Sequence, residues 1–127
     1  MHCLARACLA QGDTAQARDA LQRLWPLAQS NDTARDWACC ASLLAALEQR
    51  PRAALMLLGF SEAAHEVAAP GMARDDTTRS MSQRAEDLAC AALNGDATPA
   101  AVLSLKAQGA RLSEADMVAL GLGPADA

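Results

Sequence analysis

The chain is poor in the residues from which sheets are made. It has no Ile, no Tyr, three Val, one Phe and two Trp in 127 positions. Strands draw on β-branched and aromatic side chains, so this shortage excludes a sheet protein. Lys is almost absent, with one against ten Arg, and 15 Asp+Glu outweigh 11 Lys+Arg to leave a net charge of -4. A duplex-binding face needs concentrated basic charge, and these Arg are scattered among Asp, so direct nucleic-acid binding is not expected. The same balance disfavours an acidic membrane surface. No apolar run approaches the roughly 18 residues of a spanning helix, and Arg6 interrupts anything resembling a secretory leader; a cytoplasmic protein is expected.

Metal and nucleophile signatures are also missing. The five cysteines (Cys3, Cys8, Cys39, Cys40, Cys90) contain no CxxC pair and read as small buried hydrophobes in a reducing compartment. Glu62-x-x-His65 has the spacing of half a carboxylate-bridged di-metal site, but the only other His is His2. It reads as a solvated helix face. Asp75-Asp76 reads as a helix start, and no Ser or Cys lies in a recognisable triad context. No phosphate-binding loop surrounds the single Lys106. The expectation is a non-enzyme with no metal and no cofactor.

What is abundant is Ala, at 32 positions, together with Leu, Arg, Gln and Glu. These are helix formers, and with 52% hydrophobic residues the chain can bury a core as one all-α domain spanning 1–127. Gly12-Asp13 closes a first helix, and Asp13 or Thr14 caps a second with Ala17, Ala20, Leu21, Leu24 and Ala28 on one face. Pro26 is expected to kink or shorten that helix. Thr33-x-x-Asp36 reads as a capping box for a third helix carrying Trp37, Ala41, Leu44 and Leu47. Pro51 suits the first position of a fourth with Ala54, Leu57, Leu58 and Ala64. Residues 71–76 form a loop, and a fifth helix over 77–93 points Met81, Ala85, Leu88 and Ala92 inward. Thr98-Pro99 opens a sixth, and Leu112, Ser113, Asp116 and Met117 form a staple and capping box for a last one.

Residues 11–17 (QGDTAQA) align with 48–54 (EQRPRAA) at a shift of 37. Small residues twelve positions before each matched Ala, Ala5 before Ala17 and Ser42 before Ala54, allow two antiparallel helices to approach closely. Leu21 and Leu58 fill matching places beyond. The Gly-Asp letters of the first turn do not recur in the second. Repeated helix–turn–helix units near this period indicate tetratricopeptide-like antiparallel hairpins, an α-solenoid fragment. Two such pairs are expected over 1–69, a loop over 70–76 and a C-terminal helical cap over 77–127.

Residues 51–66, PRAALMLLGFSEAAHE, resemble the "AA-x-LLG-x-x-EA" helix near the C-terminus of large bacterial transcriptional regulators, the MalT-like, ATPase-containing proteins. Residues 107–122, AQGARLSEADMVALGL, resemble their closing "G-x-x-L-S-x-x-E-A-V-x-x-A-L" segment through Gly109, Leu112, Ser113, Val118, Ala119 and Leu122. Asp116-Met117 replace the usual Glu-Ala. The resemblance covers roughly 5–122 and implies a non-catalytic interaction or signal-reception array whose ATPase and DNA-binding domains lie elsewhere in the polypeptide. The alternative is a stand-alone adapter or chaperone binding a peptide or protein partner. In such an array the first helix of each pair lines the concave side, which would present His2, Arg6 and Leu9, then Asp36, Cys39 and Leu43, to a partner. An apolar face along Leu4, Cys8 and Leu9 would make the N-terminal helix a homodimer contact.

Overall fold

The computed structural model describes residues 3–123, and within them the chain is all-α. Its helices are α1 (Cys3–Ala10), α2 (Thr14–Ser30), α3 (Ala34–Leu47), α4 (Pro51–Ala68), α5 (Asp76–Leu93), α6 (Pro99–Ala110) and α7 (Glu114–Gly121), with a 3₁₀ turn at Asn94–Asp96. Short polar side chains start four of them by accepting from an orphan backbone N–H. Asp13 accepts from Gln16 N at 3.1 Å, Asp75 from Thr78 N at 2.8 Å, Thr98 from Ala101 N at 3.1 Å and Ser113 from Asp116 N at 3.1 Å. The box expected at Thr33 and Asp36 gives way to other contacts. The Thr33 hydroxyl donates back to the Ala28 carbonyl at 3.4 Å, and the Asp36 carboxylate turns to Arg74, 3.6 Å away.

The first four helices form two hairpins joined by one repeated turn. Gly12 adopts φ +77° and Gln49, its counterpart 37 residues on, adopts φ +63°. The following amide reaches back five residues in both, Asp13 N to Cys8 O and Arg50 N to Ala45 O, each at 2.8 Å. Asp32, at φ +56°, makes the same turn between α2 and α3, with Thr33 N on Ala28 O at 2.9 Å. The turn therefore recurs in the backbone although its letters do not. A left-handed residue after a helix satisfies the last carbonyls whatever side chain occupies it. Ala5, Ala17, Ser42 and Ala54 are all fully buried at the hairpin crossings.

α3 is the centre of the molecule. It touches α1, α2, α4, α5 and α7, and eleven of its residues, including every one from Trp37 to Ala46, are buried. A helix apolar around most of its circumference has no face for water. The Trp37 indole donates to the Leu21 carbonyl at 2.8 Å and meets Trp25 edge-on at 5.2 Å. Burial of each large aliphatic side chain here contributes about 1.5–3 kcal/mol. α4 then crosses α6 at two glycines: a Cβ on Gly59 would fall 2.0 Å from Lys106 O, and one on Gly109 would fall 1.7 Å from Met56 O. Gly59 lies in the segment 51–66 and Gly109 in the segment 107–122.

α7 closes the opposite side, with Gly121 against Trp37 and Ala41. Its C-terminal carbonyls, unpaired within the helix, are taken by two guanidinium groups. Arg50 donates to Leu120 O (2.8 Å) and Gly121 O (3.0 Å), and Arg18 to Leu122 O (2.7 Å) and Gly123 O (2.8 Å). Glu48 bridges the two arginines at 2.5 and 2.7 Å. Burial alone would raise the Glu48 carboxyl, but the hydrogen bonds and charges of Arg18 and Arg50 outweigh it and hold the group below the usual carboxylate range.

Two expectations about individual helices are corrected. α2 continues through Pro26 to Ser30, because Pro26 and Gln22, whose carbonyl loses its donor, both lie on the exposed face where water can serve. On α5 the buried stripe is Thr78, Ala85 and Ala89, with Met81 and Leu88 at its edge, so Ala92 is exposed. The helix is rotated by less than one position from the face its apolar residues alone suggest.

Candidate interaction groove between α1 and α5

α5 lies across α3 beside α1, and the seam between α1 and α5 is an open groove. One part, about 490 Å³, is lined by Arg6, Ala7, Ala10, Thr77, Ser80 and Met81, with Asp76 at its mouth. It runs into a second hollow of about 200 Å³ where Leu43 and Arg84 join Arg6, Ala10, Ser80 and Met81. Ala7 and Ala10 keep the α1 wall low. α5 reaches this position because the Asp75 cap starts it there: the Asp75 carboxyl accepts from Thr78 N, which holds it below the usual range. Asp76 is taken up by an ion pair with Arg79 on the adjacent turn. Both therefore act as helix-start residues.

The residues singled out from the repeat alignment divide among three environments. Arg6 and Leu43 line the groove together. Leu9 and Cys39 are buried in the core: Leu9 is fully buried, and the Cys39 thiol sits 3.3 Å from the Ser82 hydroxyl and 3.9 Å from Thr78 O under α5. Asp36 lies apart, in a polar cleft of about 250 Å³ with Arg35, His65 and Arg74. His2 is outside the described residues. Sequence reasoning missed the α5 wall, Thr77, Ser80, Met81 and Arg84. Their spacing of i, i+3, i+4 and i+7 is the one signal that puts them on a common face.

The buried thiols of α3 are poor nucleophiles. Burial pushes Cys39 up, and burial together with the neighbouring Cys39 pushes Cys40 up to about 12, so the thiolate is scarce at neutral pH. On α4, Glu62 pairs with Lys106 at 3.1 Å and the His65 ring nitrogen Nε2 lies 2.8 Å from Met72 O. Lys106 also meets Glu86 at 2.5 Å; burial works against its ammonium form, but the two carboxylates outweigh that and raise its pKa. Among the described residues no three His, Cys, Asp or Glu converge as metal ligands, and no helix is long and apolar enough to cross a membrane.

The apolar face expected along α1 is smaller than the sequence suggests. Cys8 and Leu9 turn into the core, and Leu4 alone of the three is exposed, at 64%. Fold and groove together define an all-α array of helical hairpins with a lined surface groove. No family model matches the chain, and no curated protein or solved structure matches it significantly.

Proposed function

We propose that this chain is a non-catalytic interaction domain, a tetratricopeptide-like array that receives a protein partner, within a bacterial transcriptional regulator of the MalT-like kind. The observation that carries the interaction reading is the α1–α5 groove, in which the leading helices α1 and α3 of the two hairpins meet α5, lined by Arg6, Leu43 and Met81. The non-catalytic reading is supported by the burial of the Cys39 and Cys40 thiols in the core, which keeps them protonated. The regulator reading is supported by Gly59 and Gly109, which lie in the two segments that resemble those proteins and which meet at one helix crossing. A partner in the groove would act mechanically, by changing how the hairpins pack on neighbouring domains. Location in the cytoplasm, no nucleic-acid contact by this domain and self-association through α1 belong to the same reading.

The test is the reading frame upstream of the Met1 codon. Continuation into further helical repeats and a phosphate-binding loop is the expected result. An in-frame stop behind a ribosome-binding site would overturn the regulator assignment in favour of a stand-alone adapter.

A further inference from the structure

The charges in the groove are distributed unevenly. Six of the basic side chains, Arg18, Arg23, Arg50, Arg74, Arg79 and Lys106, form ion pairs within the protein. Among the described residues Arg6, Arg35, Arg52, Arg84 and Arg111 have no carboxylate within 4.0 Å, and of these Arg6 and Arg84 line the groove together. Arg6 Nε is buried and has no hydrogen-bond partner, and Arg84 has only a long contact of 3.4 Å to Leu9 O. The carboxylates nearest the groove are already engaged, Asp75 by the α5 N-terminus and Asp76 by Arg79. An acidic protein thus keeps two guanidinium groups without a carboxylate ion pair beside an apolar floor of Leu43, Met81 and Ala10, Arg6 meeting the buried Cys40 thiol and feeling the charge of Asp75.

A buried donor without an acceptor is costly, and guanidinium groups favour planar, two-oxygen acceptors. From Thr77 to Arg84 the α5 wall rises about 10 Å, or two helical turns. An occupant matched to that wall is a short amphipathic helix, apolar on one stripe and carboxylate-bearing at its flanks. We infer, on the reading that the groove is an interaction site, that its partner is an acidic amphipathic helical segment whose carboxylates are received by Arg6 and Arg84.

The experiment uses the full chain and helix-stapled peptides of about 14 residues, long enough to cover the groove, that share one Leu/Ala stripe and carry Glu, Gln or Lys at the flanking positions. Binding is measured by fluorescence polarisation, and occupancy by the Met81 methyl resonance. The Glu peptide is expected to bind about fivefold or more tightly than the Gln peptide, with the gap closing at high salt. The Arg6→Gln, Arg84→Gln pair should abolish that gap, and Arg84→Lys should retain most of it. If the pair fails to fold, Arg84→Gln alone, at an exposed position, should reduce it. Equal binding of the Glu and Gln peptides, or preference for the Lys peptide, with Met81 shifted, would overturn the acidic partner and leave the groove standing. Failure of all three to bind or to shift Met81 would overturn the groove as well.

Discussion

Gln49 holds φ +63° in a turn that its counterpart Gly12 makes without a Cβ. A non-Gly residue in that region carries a penalty of about 1 kcal/mol from its Cβ against the neighbouring carbonyl. Gln49→Gly is therefore expected to stabilise the protein by up to about 0.5 kcal/mol after the added chain entropy of Gly is subtracted. A raised urea midpoint with unchanged slope would show it; a lowered midpoint would mean that the Gln side chain contributes more than its backbone costs. At the same scale, Cys39 and Cys40 should resist iodoacetamide at pH 8 in the native protein and react once it is unfolded. Peptide mapping of the labelled chain decides this, and native labelling would show that α5 opens readily. Burial of these thiols could be expected from their residue type alone. That α5 rather than a bound partner covers Cys39 could not, because the covering residues Thr78 and Ser82 lie 39 and 43 positions away.

Among the elements, the α4–α6 pair depends most on single atoms. Both glycines face backbone, not flexible side chains, so an added methyl cannot be absorbed by a rotamer change. Gly59→Ala and Gly109→Ala should each destabilise by about 2–3 kcal/mol, read from urea unfolding, whereas Gly95→Ala, which meets open space, should not follow them. A loss below about 0.5 kcal/mol would mean that the two helices are not in contact at these positions. Helix limits were largely legible. Caps and Pro51 or Pro99 at the first turn act within four residues of themselves, so their signal is local. The exceptions follow from the same locality: Pro26 and the facing of α5 depend on which side meets solvent, and that is set by other helices.

Across the whole molecule, the Arg18–Glu48–Arg50 cluster ties the end of α7 to the two hairpins. The folded Glu48 carboxyl titrates below its unfolded value, so its contribution is fully present above roughly pH 4.3, the ordinary Glu value, and is lost as pH falls through the lower, folded value. Glu48→Gln should cost about 3 kcal/mol at neutral pH, because Arg50, 2% exposed, would be left without its counter-charge. It should also flatten the acid limb of a stability-versus-pH curve. Urea melts from pH 3 to 7 with Trp fluorescence, sensitive to α7 through Gly121 on Trp37, would test both; an unchanged acid limb would remove Glu48 from the linkage.

Local sequence was enough for the all-α class, for most helix starts and for the pairing of the first four helices into hairpins. Each rests on propensities, caps and small-residue spacings that act within one hairpin. Tertiary structure alone decided that α3 is enclosed on nearly every side, that α5 covers Cys39 and meets α1 in a groove, and that α7 is anchored by arginines. The last contacts join residues as far apart as Arg18 and Gly123, 105 positions, or Arg50 and Gly121, 71 positions. Such contacts depend on how helices already formed stack in space, and the Ala-rich faces of this chain allow several stackings that local pattern cannot distinguish.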